Sequence, residues 1–383
     1  MPDRREVLAM SATILISTGA RLHFGFFSHA GARPFLGEAN YGGVGLMIDS
    51  PSFVLAASGH DPDARDRPSG TPSQPTIESG LDEVRCNLKG AARAGENDPF
   101  AGPPVDKWKE LGARVLKFIR DYRTRASRGN RPPLHCEMEL WSAIPAHLGL
   151  GSGTQLGMAV ATALALLADE PDISPVTLAR RVGRGARSAI GIHGFGQGGF
   201  LVDAGKDHEE LIGRLEAHVD VPSDWRFLLV VPPGPSAGLW GRDESEALKK
   251  LPATSPAMTE RLRTLAVSEM VPALTAKDCG RFGEAVFEFG RAVGEYFRPV
   301  QGGTYASPAA GELVEWIRAR GFRGVAQSSW GPTLAVCCAD QASAESLREQ
   351  LHADSHWQST HTRIVRPLNA GAKVQSITSG ETR

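Results

Sequence analysis

Cysteine is scarce and cannot be fully paired. The five residues are Cys86, Cys136, Cys279, Cys337 and Cys338, and no C-x-x-C spacing occurs. Neither a disulfide framework nor a zinc site fits that pattern. Reduced core thiols in a cytoplasmic protein are the expectation. Long apolar runs are also missing. None reaches the roughly 18 residues that a spanning helix needs, which argues against a membrane protein. An excess of charge of either sign is missing too. Lys and Arg number 42 against 43 Asp and Glu, for a net charge of -1. That balance argues against a general nucleic-acid or membrane-surface binder. Internal repeats and low-complexity tracts are not visible.

What is present suits a globular enzyme. The chain has 383 residues, 41% of them hydrophobic, enough for two cored domains. Strands are expected at Thr13 to Thr18, Leu22 to Phe27, Val44 to Ile48 and Phe53 to Ala57. The apolar segment Val7 to Thr18 reads as the start of a core strand rather than a signal peptide. Helices are expected at Leu81 to Ala94 and Val105 to Arg125. The alternation in His135 to Trp141 predicts a strand with one buried face. A helix follows at Thr154 to Ala168. From Glu244 onward the pattern is mostly helical, with strands at Gly324 to Gln327, Thr333 to Cys337 and Thr362 to Arg366. The class is α+β. The boundary is placed near Glu216 to Asp224, giving domains 1–220 and 221–383. The polar tail after Asn369 is expected to fray.

The most informative segment is Gly149-Leu150-Gly151-Ser152-Gly153-Thr154-Gln155, which links a strand to a helix. Three glycines allow close backbone approach to a ligand. A helix start offers N–H groups and a positive dipole end to an anion. Ser152 and Thr154 add hydroxyl groups. No Walker lysine is present, so this is not the common P-loop.

P-x-x-x-G-L-G-S, from Pro145 to Ser152, resembles the second motif of the GHMP kinases. Four other stretches narrow the likeness. They are Ala20 to Phe26, Gly42 to Leu46, Gly183 through Asp203, and Gln327-Ser328-Ser329-Trp330-Gly331-Pro332-Thr333. Together they resemble the β-ribofuranosylaminobenzene 5'-phosphate synthase branch of that group. The resemblance implies a GHMP-kinase fold. An N-terminal domain like ribosomal protein S5 domain 2 is joined to a C-terminal ferredoxin-like α/β sandwich, with the active site between them.

Two departures separate the chain from a kinase. The kinases' catalytic Asp lies a few residues before a Gly-Gly pair; here Gly191 takes that place before Gly198 and Gly199. A second serine that helps hold magnesium in kinases is Gly153 here. The synthase branch joins 5-phosphoribosyl 1-diphosphate to a 4-substituted benzoate, with loss of carbon dioxide and diphosphate. It serves tetrahydromethanopterin biosynthesis. The resemblance implies magnesium and no organic cofactor, and a homodimer is expected. Gly149, Gly151, Ser152, Gly153, Thr154 and Gln155 are the expected phosphate-binding residues. Arg21, His23 and Ser328 are the candidate catalytic residues, with His23 suited to exchange a proton with the ring substituent. Arg184, Arg187, Gln327, Ser329 and Trp330 are the candidate substrate-binding residues, with Trp330 positioned to stack on an aromatic acid. Asp203 is the candidate magnesium ligand.

Overall fold

The computed structural model describes residues 12–29, 40–59, 76–79, 82–86, 98–103, 107–126, 135–207, 210–234 and 241–378. The four short strands expected at the start form two long ones. β1 (Ala12–Phe26) pairs antiparallel with β2 (Gly43–Gly59). Register shifts between Gly19 and Ala20 and between His23 and Gly25 are absorbed as irregularities within one ladder. Such bulges re-aim side chains locally, and they bracket Arg21 and His23.

The remaining strands are β3 (Thr76–Ser79), β4 (Asp82–Cys86), β5 (Cys136–Ser142), β6 (Phe200–Asp203), β7 (Leu215–Val219), β8 (Arg226–Val231), β9 (Val325–Gln327), β10 (Leu334–Cys338), β11 (His361–Val365) and β12 (Lys373–Thr378). The first sheet runs β12-β1-β2-β5-β4-β3, with β6 pairing β2 and β7. The second runs β11-β8-β10-β9, and every pairing in it is antiparallel. In that sheet the first strand lies between the fourth and the third, and helices follow the first and third strands. This is the split βαβ arrangement of ferredoxin-like sandwiches.

Two expectations are corrected here. Asp82–Cys86 is a strand paired parallel with β5, not the start of a helix; residues 87–94 lie outside the described set. A short run such as Asp82-Glu83-Val84-Arg85-Cys86 satisfies either period, and only its partner decides. The tail does not fray at Asn369. β12 pairs with β1 from Ala12↔Thr378 to Ser17↔Lys373, so the second half of the chain returns its last strand to the first sheet. β7 and the glycine-rich helix Ile190–Gln197 were not foreseen, and neither has a clean apolar period.

The helices are α1 (Trp108–Arg125), α2 (Ser152–Leu167), α3 (Pro175–Arg181), α4 (Ile190–Gln197), α5 (Gly241–Lys250), α6 (Pro256–Thr264), α7 (Val271–Thr275), α8 (Cys279–Gln301), α9 (Pro308–Ala319) and α10 (Gln341–Ala353). A π-helical turn, Leu265–Met270, joins α6 to α7. Three helices start at Ser-Pro: the hydroxyls of Ser174, Ser255 and Ser307 accept from the backbone of Thr177, Met258 and Ala310. Proline suits the first helical turn because its missing N–H would have no partner there. α1 buries Leu111, Val115, Phe118, Ile119 and Tyr122 against the first core. Each such side chain contributes roughly 1.5–3 kcal/mol by leaving water.

α8 packs toward both sheets. Its Phe282 ring meets Phe200 of β6 at 5.7 Å, while Phe287 joins the cluster behind the second sheet. In β8, Phe227 and Leu229 face the first cluster and Leu228 and Val230 the second. That is the strand period with both faces covered. Cys136, Cys337 and Cys338 are free and buried. Among the described residues, no helix is long and apolar enough to cross a membrane.

Candidate functional site

The glycine loop runs from β5 into α2, which begins at a left-handed N-cap. Its N-cap is Gly151 at φ 74°, and no side chain caps its first N–H groups. A side chain is costly at that φ, so glycine is required. The uncapped turn opens into a cavity of about 380 Å³ between the two sheets' domains. That volume suits a small ligand.

Two other motifs are tied to the loop through backbone groups. Arg21 N donates to Leu150 O at 3.1 Å, and Ser329 N donates to His23 O at 2.6 Å. Ser328 Oγ accepts from His23 N at 3.1 Å and donates to Gly149 O at 2.9 Å. β1, the glycine loop and the turn after β9 therefore form one rigid rim. Tight packing of this kind is what holds functional side chains in place.

Four arginines face the cavity: Arg21, Arg114, Arg184 and Arg187. Arg21 Nη1, Arg184 Nε and Arg187 Nη1 have no hydrogen-bond partner among the described residues, nor does His23 Nε2. Buried donors without partners are uncommon and costly unless a ligand meets them. Burial holds Arg21 down to about 10, with Glu244 pulling it up and Arg187 pushing it further down. Burial likewise brings Arg184 to about 10, and the Arg114 and Arg187 charges add to the effect. Arg114 is lowered by burial. Burial, then Arg21 and Arg187, keep His23 well below 6.5 and hence neutral at pH 7.

One carboxylate lines the cavity among the described residues, that of Glu244 on α5. It accepts from Arg187 at 2.9 Å and from Trp330 Nε1 at 3.0 Å, bridging the two halves of the molecule. Trp330 stacks on Phe297 with ring centroids 4.3 Å apart. Phe26 meets Phe297 edge-on at 5.2 Å. These three rings make an aromatic end to the cavity. One face of Trp330 is thus already covered.

The structure brings together Arg21, His23, Gly149, Gly151, Ser152, Gly153, Thr154, Arg184, Arg187, Ser329 and Trp330. Four expected site residues do not join them. Gln155 is buried, accepting from Thr18 Oγ1 and donating to Gly191 O. Ser328 is buried in the rim just described. Gln327 accepts from Ala306 N and donates to Gln301 and Ser329 O. These three are struts, because their polar groups are satisfied inside the protein. Asp203, the expected magnesium ligand, lies outside the cavity lining. It is fully buried, and its two oxygens accept from Ala189 N and Gly205 N. Burial raises it to about 6.

Arg114, His147 and Glu244 line the cavity but were not singled out from the sequence. Arg114 left a signal. It interrupts the apolar stripe of α1, three residues after Leu111 and four before Phe118. Glu244 left none, since only tertiary packing turns α5 toward the cavity.

Among the described residues no group of three His, Cys, Asp or Glu could hold a metal ion. Glu244 is already engaged on both oxygens. The described residues lining the cavity therefore offer magnesium no free carboxylate. At the two kinase positions, arginine fills the space. A Cβ at Gly191 would lie 3.3 Å from Arg21 Cδ, and one at Gly153 would lie 3.1 Å from Arg184 Nη2.

Comparison with known proteins places relatives beside this chain. The GHMP kinases N terminal domain matches residues 113–199, and the GHMP kinases C terminal domain matches residues 270–355. The chain is 28% identical over 338 residues to a beta-ribofuranosylphenol 5'-phosphate synthase of Methanothermobacter thermautotrophicus, covering 85% of this chain and 88% of that one. It is 29% identical to the protein of that name from Methanocaldococcus jannaschii, covering 84% and 88%. Mevalonate pyrophosphate decarboxylase from Streptococcus pyogenes shares the fold with a TM-score of 0.59 at 13% identity, covering 93% and 97%. Homoserine kinase from Cytophaga hutchinsonii does so with a TM-score of 0.53 at 14% identity, covering 95% and 97%.

Proposed function

We propose that this chain, which matches the GHMP kinases N terminal domain over residues 113–199 and the GHMP kinases C terminal domain over residues 270–355, is a decarboxylating phosphoribosyltransferase. In this reading it condenses 5-phosphoribosyl 1-diphosphate with 4-hydroxybenzoate or 4-aminobenzoate. The products are an aryl C-riboside 5'-phosphate, carbon dioxide and diphosphate. The observation that carries the reading is the cavity's charge. Four guanidiniums surround an uncapped glycine loop, with one carboxylate among them. A substrate pair carrying a phosphate, a diphosphate and a carboxylate answers that excess. Arginine also stands where a phosphoryl-transferring kinase would need a carboxylate.

The chemistry asks for orientation and charge. The para substituent pushes electrons to the ring carbon that bears the carboxylate. That carbon attacks ribose C1, and diphosphate leaves with the C1–O electron pair. The carboxylate then departs as carbon dioxide, and its bonding pair restores aromaticity. Fixed guanidiniums and loop N–H groups stabilise the leaving diphosphate without reorganising. The aromatic end orients the ring. Burial and the Arg21 and Arg187 charges oppose protonation of His23, so its unpartnered Nε2 is suited to hold the para substituent by a hydrogen bond rather than to take its proton. Magnesium, in this reading, travels on the diphosphate. The name of the two archaeal relatives, beta-ribofuranosylphenol 5'-phosphate synthase, favours the phenol, hence 4-hydroxybenzoate.

The test is direct. Protein supplied with magnesium, 5-phosphoribosyl 1-diphosphate and carboxyl-labelled acid is expected to release labelled carbon dioxide and an equal amount of diphosphate. Benzoate without a para donor is expected to react poorly. Diphosphate without carbon dioxide would mean hydrolysis or N-ribosylation. No release of either from folded protein with both acids would favour a non-catalytic binding subunit.

A further inference from the structure

The four arginines are not equivalent. We infer that the cleft is divided, and that Arg114 and Arg184 form its phosphoryl subsite and neutralise the diphosphate, while the Arg187–Glu244–Trp330 end takes the aryl acid. This rests on the function proposed above.

Arg114 and Arg184 come from separate segments, α1 and the α3–α4 connection, yet converge on one point. From the position a Cβ would take at Gly153, Arg184 Nη2 lies at 3.1 Å and Arg114 Nη2 at 3.4 Å. That point is the first turn of α2, where no side chain caps the helix. Helix dipole and both cations therefore favour an anion at the same place. Arg184 Nε has no partner, and its guanidinium is steadied by the Phe118 ring at 4.9 Å. Neither arginine forms an ion pair with a carboxylate among the described residues, and burial lowers both. Two half-buried cations held together with no carboxylate at ion-pair distance, and only Asp121 acting on Arg184 from further off, lack a close counter-anion, and bidentate guanidiniums suit phosphoryl oxygens.

The Glu244 end already has its anion. Arg187 is paired with Glu244, and the carboxylate is held there by Trp330 as well. A diphosphate would meet like charge at that end. An aromatic ring would instead meet Trp330, Phe297 and Phe26. Arg21 lies over Gly151 with Nη1 unpaired, placed to serve the aryl carboxylate near the reacting carbon.

Calorimetry with inorganic diphosphate tests the division without turnover. Wild-type protein is expected to bind it. Arg114→Met and Arg184→Met are each expected to weaken binding about tenfold or more, and Arg187→Met less than about threefold. Arg114→Lys is expected to recover part of the loss, since the charge returns. Melting curves identify any variant that fails to fold, and Arg114→Met keeps the apolar stem of its helix face. Equal weakening by Arg187→Met, no weakening by Arg114→Met, or no wild-type binding would overturn the division. If diphosphate binding divides as stated while labelled carbon dioxide is never released, the subsite stands and the proposed reaction falls. Release without the division removes only the subsite.

Discussion

Arg21 and Gly151 occupy one volume: a Cβ at Gly151 would lie 2.4 Å from Arg21 Cγ and 2.8 Å from its Nε. The arginine stem lies flat on the glycine loop, and the loop's shape sets where the guanidinium points. Gly151→Val would displace that stem and strain a residue at φ 74°. The strain costs about 1–3 kcal/mol. The expected outcome is a folded protein with a lowered melting temperature and no calorimetric affinity for 5-phosphoribosyl 1-diphosphate. Wild-type affinity in this variant would move the phosphate site off the loop.

Arg21→Met tests the cation itself. A charge-assisted hydrogen bond contributes about 1.5–3 kcal/mol, so turnover is expected to fall roughly tenfold or more. Unchanged kinetics would remove Arg21 from the site.

Arg21 also acts on His23, which makes a pH prediction possible. Burial comes first, then the Arg21 and Arg187 charges, in holding His23 well below 6.5. As pH falls below about 6.5 the unfolded imidazole takes a proton that the folded one refuses, so stability is lost on acidification. Above 6.5 both states are neutral and His23 adds no pH dependence. Arg21→Met is expected to move the His23 titration upward, as followed by NMR of the imidazole. A wild-type titration near 6.5 would contradict the buried, neutral assignment.

No phosphoryl transfer from ATP to homoserine, mevalonate or galactose is expected. Gly191 supplies no carboxylate, and a Cβ there would lie 3.1 Å from Thr154 Cγ2 and 3.3 Å from Arg21 Nε. Gly191→Asp is expected to pair with Arg21 and lower synthase turnover rather than create a kinase. ADP formation dependent on any of the three acceptors, in the wild-type protein, would revive the kinase reading.

Asp203→Asn separates a structural role from metal binding. The carboxylate accepts from Ala189 N at 2.6 Å and Gly205 N at 2.9 Å. An amide has one acceptor oxygen, so one buried N–H loses its partner, at about 1–3 kcal/mol. The melting temperature is expected to fall while the magnesium response of the rate stays the same. An unchanged melting temperature with an altered magnesium response would return Asp203 to the metal.

The sequence by itself determined the elements that carry their own period or punctuation. The stripe of α1, the alternation in β5, and the glycine loop opening α2 are local patterns, and they appear where the sequence places them. So do Arg21 and His23, held by residues two apart on one strand. Tertiary structure decided what depends on a distant partner. Asp82–Cys86 is a strand because β5 pairs with it, and Lys373–Thr378 because β1 does. It also decided which polar residues are free. Gln155, Ser328, Gln327 and Asp203 look like ligand groups in the sequence, but buried neighbours satisfy them. Arg114 and Glu244 reach the cavity only because α1 and α5 pack as they do. A residue's type is fixed by the chain, but whether its donors are spent inside the fold or left for a ligand is fixed by what packs around it.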